Sequence, residues 1–453
     1  MHIRKRLTKV MALLAVVGCL LAGCGAGNGN NTGGATDMTG VGKTSEAVIE
    51  DVTGEITTGE KTTGTAITTE AQATTEAEPE KSLIGSAEVP DVSVESFEIP
   101  DTEALRFVKS MRIGMSLGNT FDAYSDTGLA EEMDTETVWQ SMPTSREIIK
   151  GIHDAGFDTI RIPVSWHNHL EEDFTISAKW LARVKEVVDW AYDEGMYVII
   201  NIHHDNHQEA NCFYPDNAHL EQSKHYISRI WEQLSDTFKD YDEQLIFESM
   251  NEPRLVGNRY EWWIPNKSDD VAEAIECINI LNQTFVDTVR ASGGNNATRY
   301  LMCPGYDASY DGALNKGFVL PTDTVSDKLI VSVHAYIPYS FALEFPGTNS
   351  FDAGSRSSTK EIDSFMDKLY DKYIKNGIPV VIGEFGARNK GNLQARVDFS
   401  AYYVAAARAH GMTCLWWDNN SFGGNGENFG LYYRRGGYIL YEDILAALMK
   451  YAD

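Results

Sequence analysis

The sequence is poor in positive charge. Its 38 lysine and arginine residues stand against 66 aspartate and glutamate residues, and the formal net charge is −28. Proteins bind nucleic-acid phosphates through clustered basic side chains. The composition therefore argues against nucleic acid as a partner, and the acidity fits the solubility of an exported protein.

Cysteine is also scarce, with six residues in a chain of 453. Two of them, Cys19 and Cys24, fall in the N-terminal segment, and the other four are far apart without a Cys-x-x-Cys pair. Zinc clusters need closely spaced ligands. We therefore expect buried free thiols and no metal or other cofactor.

Long apolar runs are absent after residue 21, and the run at 10–21 is too short for a comfortable membrane span. Basic residues precede this run, and Leu21-Ala22-Gly23-Cys24 follows it, which resembles a bacterial lipobox. Residues 1–24 are therefore predicted to be a lipoprotein signal peptide with Cys24 as the lipidated residue. An ordinary signal peptide cut nearby is the alternative. Either way the protein is exported, to the outer face of a bacterial membrane or into the medium, and a lipid anchor would be its only membrane contact.

Residues 25–96 are rich in threonine, glycine and glutamate and hold too little apolar surface to offset the entropy of ordering. They predict a disordered linker. The folded domain is expected at 97–453, where strand-like runs alternate with amphipathic segments. The predicted strands are 112–117, 159–163, 197–202, 245–249, 299–303, 329–333, 379–383 and 413–416.

Eight strands alternating with helices predict an α/β fold, a (β/α)8 TIM barrel, and the length of the domain lies within its range. An open, doubly wound sheet is the competitor. It requires a glycine-rich phosphate turn after the first strand, and residues 114–118 match such a turn poorly.

Two glutamates close predicted strands of this barrel. Glu252 stands in Met-Asn-Glu-Pro after the fourth strand, and Glu384 in Ile-Gly-Glu-Phe-Gly after the seventh. Enzymes of this fold do their chemistry at the carboxyl ends of the strands. Two facing carboxyl groups, one acid and one nucleophile or base, cleave a glycosidic bond.

Other predicted strand ends carry polar or aromatic residues as well. Arg161 has no acidic neighbour in sequence, and its guanidinium could keep Glu384 ionised. His334 and Tyr336 share one face by strand alternation. Glu248 has the same orientation as Glu252. We interpret it as a buried residue, one layer deeper in the barrel, that pairs with a hydrogen-bond donor.

Together these motifs resemble glycoside hydrolase family 5, the cellulase family, and its bacterial endoglucanase branch with a Leu-Gly-Asn-Thr-Phe-Asp-Ala motif, here at 117–123. The resemblance implies a retaining endo-β-1,4-glucanase that acts on plant-type β-glucan polysaccharides. We expect a monomer, although the sequence leaves the oligomeric state open. It implies Glu252 as acid/base, with a raised pKa, and Glu384 as nucleophile, with a low one. The substrate-binding residues expected from it are Asn119, Arg161, His203, His204, Asn251, His334, Tyr336 and Trp417.

Several alternatives stay open. The same two glutamates could act on xyloglucan, mixed-linkage glucan, xylan or mannan. A metal-dependent hydrolase is suggested by the cluster of His203, His204, Asp205 and His207, and a non-catalytic sugar-binding lipoprotein is a third possibility. Trp416 competes with Trp417 for the sugar-stacking position, and Asp122 could hold a substrate hydroxyl or fix the first loop. The loop aromatics expected to line a cleft are Trp166, Trp262, Trp263, Tyr339 and Phe422.

Overall fold

A computed structural model describes residues 85–423 and 426–453. The predicted lipidation site Cys24, the signal segment 1–24 and residues 25–84 of the predicted linker lie outside the described residues. Contacts with the domain begin at Ala87, before the predicted boundary at 97. The backbone N–H of Ala87 donates to Asp443, and that of Val92 donates to the hydroxyl of Tyr451.

Eight parallel strands close into one barrel in sequential order, which confirms the predicted (β/α)8 fold. The strands are β1 Ile113–Leu117, β2 Thr159–Ile162, β3 Tyr197–Asn201, β4 Leu245–Glu248, β5 Leu301–Ser309, β6 Leu329–His334, β7 Val380–Phe385 and β8 Thr413–Asp418. A small hairpin of β9 Tyr432–Tyr433 and β10 Tyr438–Ile439 follows. Strand β5 runs beyond its predicted end at 303, and its pairing with β6 shifts register between Pro304 and Ser309.

Helices surround the barrel. They are α1 Glu103–Ser110, α2 Arg146–Asp154, α3 Ala178–Asp193, α4 Leu220–Thr237, α5 Asp269–Ala291, α6 Tyr310–Leu314, α7 Tyr339–Ala342, α8 Arg356–Lys372, α9 Leu393–Ala409 and α10 Glu442–Lys450. Serine or threonine caps fix several starts: Ser145 accepts from Ile148 and Ser268 from Val271. Within the described residues, no helix combines the length and apolar composition of a membrane span.

The apolar core has two parts. The larger part lies between the strands and the surrounding helices. The smaller part fills the barrel interior, where α1 packs beneath strand residues such as Ile199 and Leu415. Phe107 of α1 stacks on Tyr300, with ring centroids 3.7 Å apart. Because α1 closes the amino-terminal end, only the carboxyl ends of the strands are open for a site.

Four cysteines lie in the described residues, and all are buried free thiols, as expected. Burial raises the pKa of each: Cys212, Cys277, Cys303 and Cys414.

Candidate active site

The barrel places one buried cation at the centre of the site. Arg161 on β2 is fully buried and donates to Glu248 at 2.8 Å, to Glu384 at 2.7 Å and to the side-chain oxygen of Asn251 at 2.7 Å. The contact between Arg161 and Glu384 is therefore the one anticipated from the sequence. Since Arg161 occupies the oxygen of Asn251, the amide nitrogen of that side chain is left to donate elsewhere.

Glu248 lies one layer below the glutamate at position 252. Besides Arg161, it accepts hydrogen bonds from Ser332 at 2.6 Å and from Asn201 at 3.0 Å, and it is fully buried. The interpretation of Glu248 as a buried partner of a donor is confirmed. Its full set of hydrogen bonds explains how a carboxylate is tolerated inside the barrel.

His334 stands between the two candidate catalytic glutamates. Its Nδ1 lies 2.8 Å from Oε1 of Glu252 and 3.7 Å from Oε1 of Glu384. The hydroxyl of Tyr336 donates to the other oxygen of Glu384 at 2.9 Å. One carboxylate oxygen of Glu252, one of Glu384 and a ring nitrogen of His334 all lie within 4.8 Å of one another. The two carboxyl groups therefore approach each other closely, and His334 contacts both of them.

These three groups titrate together. Burial acts to raise the pKa of Glu252, but the hydrogen bond from His334 and the positive charges of His334 and Arg254 hold it at about 2. Burial raises the pKa of Glu384 against the charges of His334 and Arg161. Burial lowers the pKa of His334, but the charge of Glu384 and the bond to Glu252 outweigh it, so the pKa is raised. The predicted order of the two glutamate pKa values is therefore wrong in this structure, because the hydrogen bond and the charge of His334 favour ionised Glu252, whereas burial dominates at Glu384.

Two parallel rings stand at the mouth of the barrel. The indole of Trp417, at the end of β8, lies parallel to the ring of His203 with centroids 5.8 Å apart. Asn201 fixes His203 by a 3.2 Å contact to Nδ1, and burial lowers the pKa of His203 well below its usual value, so the ring is neutral. Gly118 makes room for the indole, because a Cβ at that position would lie 2.7 Å from the ring of Trp417.

The loop after β1 brings Asn119 to the same rim. The backbone N–H groups of Asn119 and Thr120 donate to the two oxygens of Asp122, at 3.0 and 2.7 Å. Asp122 is fully buried, and these two hydrogen bonds fit the role of fixing the first loop. His204 lies beside this loop, and burial followed by the charge of Arg254 lowers its pKa to about 4.

Two aromatic predictions need correction. Trp166 is fully buried and donates its indole N–H to the backbone oxygen of Asn201, so it does not line an open cleft. Trp416 is also fully buried and donates to the backbone oxygen of Phe429, which is a packing role. Trp262, Trp263 and Tyr339 are more than half exposed at the rim, at 61%, 55% and 55%.

The sequence reasoning missed Arg254 and Asp307. Arg254 lies 3.6 Å from Oε2 of Glu252 and stacks over the ring of Trp262. Arg254 could have been identified from the sequence, because it lies two residues after Glu252. Asp307 lies at the end of β5 and was missed because that strand was predicted to end at residue 303.

The histidine cluster suggested by the sequence does not form one set of free ligands. Asp205 accepts hydrogen bonds from the backbone of Trp166 and from both the backbone and the ring of His167. Asp122, His203 and His204 do bring three ligand-type atoms within 4.8 Å of one another. The carboxylate of Asp122, however, is already occupied by backbone N–H groups, so this set fits a metal ion poorly.

Known proteins resemble the chain over most of its length. The profile described as Cellulase (glycosyl hydrolase family 5) matches residues 122–423. Endoglucanase 1 of Ruminococcus albus is 40% identical over 381 residues, which are 83% of this chain and 88% of that protein.

Two solved structures show the same likeness. The lichenase of glycoside hydrolase family 5 from Caldicellulosiruptor sp. F32 has a TM-score of 0.79 and 51% identity, covering 81% of this chain and 100% of its own. A xyloglucan-specific endo-β-1,4-glucanase from a metagenomic library, solved with cellotriose, has a TM-score of 0.69 and 37% identity. It covers 77% of this chain and 98% of its own.

Proposed function

We propose, because the chain belongs to glycosyl hydrolase family 5, that it is a retaining endo-β-1,4-glucanase acting on internal bonds of cellulose-like β-glucans. The observation that carries this function is the approach of the Glu252 and Glu384 carboxylate oxygens to within 4.8 Å. Retaining enzymes hold their two carboxyl groups about 5–5.5 Å apart, so that one of them attacks the sugar directly.

In this mechanism Glu384 is the nucleophile. Arg161 and Tyr336 donate to its two oxygens, which orients the carboxylate and favours its ionised form. It attacks the anomeric carbon, and the bond to the leaving sugar breaks as that oxygen gains a proton. A covalent glycosyl-enzyme results.

Glu252 is the acid/base. A proton can move along one hydrogen bond, from Nδ1 of His334 to Glu252 across 2.8 Å. This transfer converts Glu252 to its acid form without changing the net charge of the pair. Glu252 then protonates the leaving oxygen. In the second step it takes a proton from water, which attacks the glycosyl-enzyme and releases Glu384.

The remaining predicted residues would hold the sugar at the cleavage point. The free amide nitrogen of Asn251 is placed to donate to a hydroxyl, a bond that strengthens in the transition state. The exposed part of the Trp417 indole offers a flat apolar face to the sugar ring. Asn119, His203 and His204 stand at the same rim and complete the polar shell.

Polysaccharides other than cellulose are alternative substrates. Xyloglucan, mixed-linkage glucan, xylan and mannan fit the same two glutamates, and relatives named lichenase and xyloglucan-specific endoglucanase favour the first two. Hydrolysis of a panel of purified polysaccharides, with product lengths resolved, decides among them. Short products from the start of the reaction, without internal cuts, would contradict endo action.

The roles of the two glutamates can be separated experimentally. Glu384→Gln removes the nucleophile and should lower kcat on every substrate by about 10³-fold or more. Glu252→Gln should cost about 10²–10⁴-fold on polysaccharide. Glu252→Gln should still form the glycosyl-enzyme from a nitrophenyl β-cellobioside, because nitrophenolate is a leaving group that needs no proton.

The matched control is Glu276→Gln on the exposed face of α5, which should keep wild-type activity. A β-anomer as the first product in NMR supports retention. Near-normal turnover of polysaccharide by either active-site variant would contradict the roles assigned to Glu252 and Glu384.

We also propose that the protein is exported. The lipobox-like sequence before Cys24 supports a lipoprotein on the outer face of a bacterial membrane, with the domain acting as a monomer on an external polysaccharide. A monomeric mass in light scattering is the expected result for the domain.

A further inference from the structure

Asp307 holds a strained position beside the acid/base. It lies within the irregular part of β5 and has a left-handed φ of 57°, and Ala308 follows with a φ of 44°. Its backbone N–H donates to the oxygen of Pro253, which ties β5 to the residue after Glu252. Left-handed residues other than glycine are rare and cluster at functional sites.

The side chain of Asp307 is almost buried, with 14% of its surface exposed. Its Oδ1 is fully buried and accepts no hydrogen bond from any residue in the described part of the chain. A buried carboxylate oxygen without a donor is costly, so a structural role alone explains this residue poorly.

Arg254 connects Asp307 to the acid/base. One end of the guanidinium, NH1, lies 3.6 Å from Oε2 of Glu252 and donates to the backbone oxygen of the same residue. The other end, Nε, lies 3.4 Å from Glu261 and 3.9 Å from Oδ1 of Asp307. Trp262 covers the guanidinium at 3.9 Å. The cation is therefore shared between the acid/base and two further carboxyl groups.

We propose that Asp307 is a positioning residue for the acid/base: its charge offsets Arg254, so that Glu252 and His334 keep their shared proton to higher pH. This inference rests on the proposed function of Glu252. Without an opposing charge, Arg254 would stabilise ionised Glu252, and the general acid would be lost at lower pH.

The charged groups around the two residues agree with this role. Glu252 faces the positive charges of His334 and Arg254, while Glu384 and ionised Asp307 supply negative charge. His204 also faces Glu252 but is neutral, because burial lowers its pKa to about 4. Glu427, across the mouth, adds another carboxyl group.

Asp307 itself faces the carboxyl groups of Glu252, Glu261 and Glu384 as well as Arg254. Burial, and then the charge of Glu252, raise the pKa of Asp307 well above its usual value. Ionisation of Asp307 and loss of the proton from the His334–Glu252 pair oppose each other, because both add negative charge to the same small cluster.

The test is the pH profile of kcat/KM for Asp307→Asn on a soluble β-glucan. Asparagine tolerates the left-handed conformation, so the backbone should be retained. We expect the basic limb to move to lower pH by about one unit, because removal of a negative charge lowers the pKa of the pair. Asp311→Asn is the control, since this exposed carboxyl faces Lys368 and Tyr310 instead.

A second variant covers the case in which Asp307→Asn does not fold. Arg254→Gln removes the positive charge and should move the basic limb in the opposite direction, to higher pH. A basic limb that stays at its wild-type position in either folded variant overturns the inference. A wild-type enzyme without activity on any β-glycan would instead overturn the proposed function.

Discussion

At the scale of single residues, Arg161 shows how the site depends on one buried charge. Its guanidinium spans Glu248 and Glu384 on opposite sides of the barrel and also holds Asn251. Arginine suits this position because its planar group presents several fixed donors and stays charged when buried. The bond from Arg161 to Glu384 was expected from the sequence, whereas Glu248 was expected to pair with a donor that the sequence did not identify.

Arg161→Met should therefore destabilise the protein by about 3–5 kcal/mol, because two buried carboxylates lose their partner. Denaturant unfolding measures the loss. Adding Glu248→Gln to this variant should recover about 1 kcal/mol or more, since one of the unpaired charges is removed. A single variant as stable as the wild type would show that Arg161 contributes no net stability.

His169 provides a pH-dependent prediction. It is buried, stacks on Trp180 with centroids 3.8 Å apart, and burial lowers its pKa to about 4. The unfolded chain takes up this proton near the ordinary pKa of about 6.5, before the folded state does. Stability from His169 is thus present above pH 6.5 and is lost as the pH falls towards 4.

His169→Phe should keep the stacking and remove up to about 3 kcal/mol of this pH dependence between pH 6.5 and 4. Denaturant midpoints across this range are the measurement. His225→Gln, at an exposed position on α4, is the control and should keep the wild-type slope. A slope that is unchanged in His169→Phe contradicts the assignment.

At the scale of elements, β1 and β8 must approach closely for the indole of Trp417, the predicted sugar platform, to take its position. They are paired from Ile113 to Leu117, and the ring of Trp417 passes over Gly118 immediately beyond this pairing. No side chain larger than hydrogen fits between the strand end and the indole. The platform is therefore a property of the two strands together rather than of Trp417 alone.

Gly118→Ala should displace the indole, because its Cβ would lie 2.7 Å from the ring and 3.0 Å from the backbone oxygen of Asp418. We expect kcat/KM on cellotetraose to fall by about 10-fold to 100-fold, as a small misplacement of substrate has such effects. Gly423→Ala is the matched control, since nothing lies within 4 Å of its added Cβ. Wild-type kinetics in Gly118→Ala would show that the indole position is not important.

At the scale of the whole molecule, the closed barrel is what makes distant sequence segments into one site. Glu252 and Glu384 are separated by 131 intervening residues, yet both stand at the carboxyl ends of strands in one closed sheet. Helix α1 fills the opposite end with apolar side chains, which leaves a single open mouth. The fold thereby concentrates polar residues at one end and packing residues at the other.

Export and attachment to a membrane are both predictions from sequence. Cys24→Ala should abolish lipid incorporation and move the protein from the detergent-extracted fraction to the soluble one, because a lipid chain supplies the membrane affinity. Intact-mass spectrometry of the wild type should show the added acyl groups. A wild-type protein without them would contradict lipidation, and cleavage elsewhere would identify an ordinary signal peptide.

The sequence by itself determined the fold class and the identity of the residues at the mouth. Alternation of strand and helix patterns is local information, and strand ends marked by Asn251-Glu252 or His334 are visible in it. It was less informative for α1 and α10, which are short, and for β5, whose irregular end concealed Asp307. These features depend on packing against distant parts of the chain.

Only the tertiary structure decided which charges meet. The reversed pKa order of Glu252 and Glu384 follows from the position of His334 between them, and the burial of Trp166 follows from its bond to Asn201. Electrostatic interaction and burial depend on distances in space, and a sequence specifies those distances only after the barrel has closed.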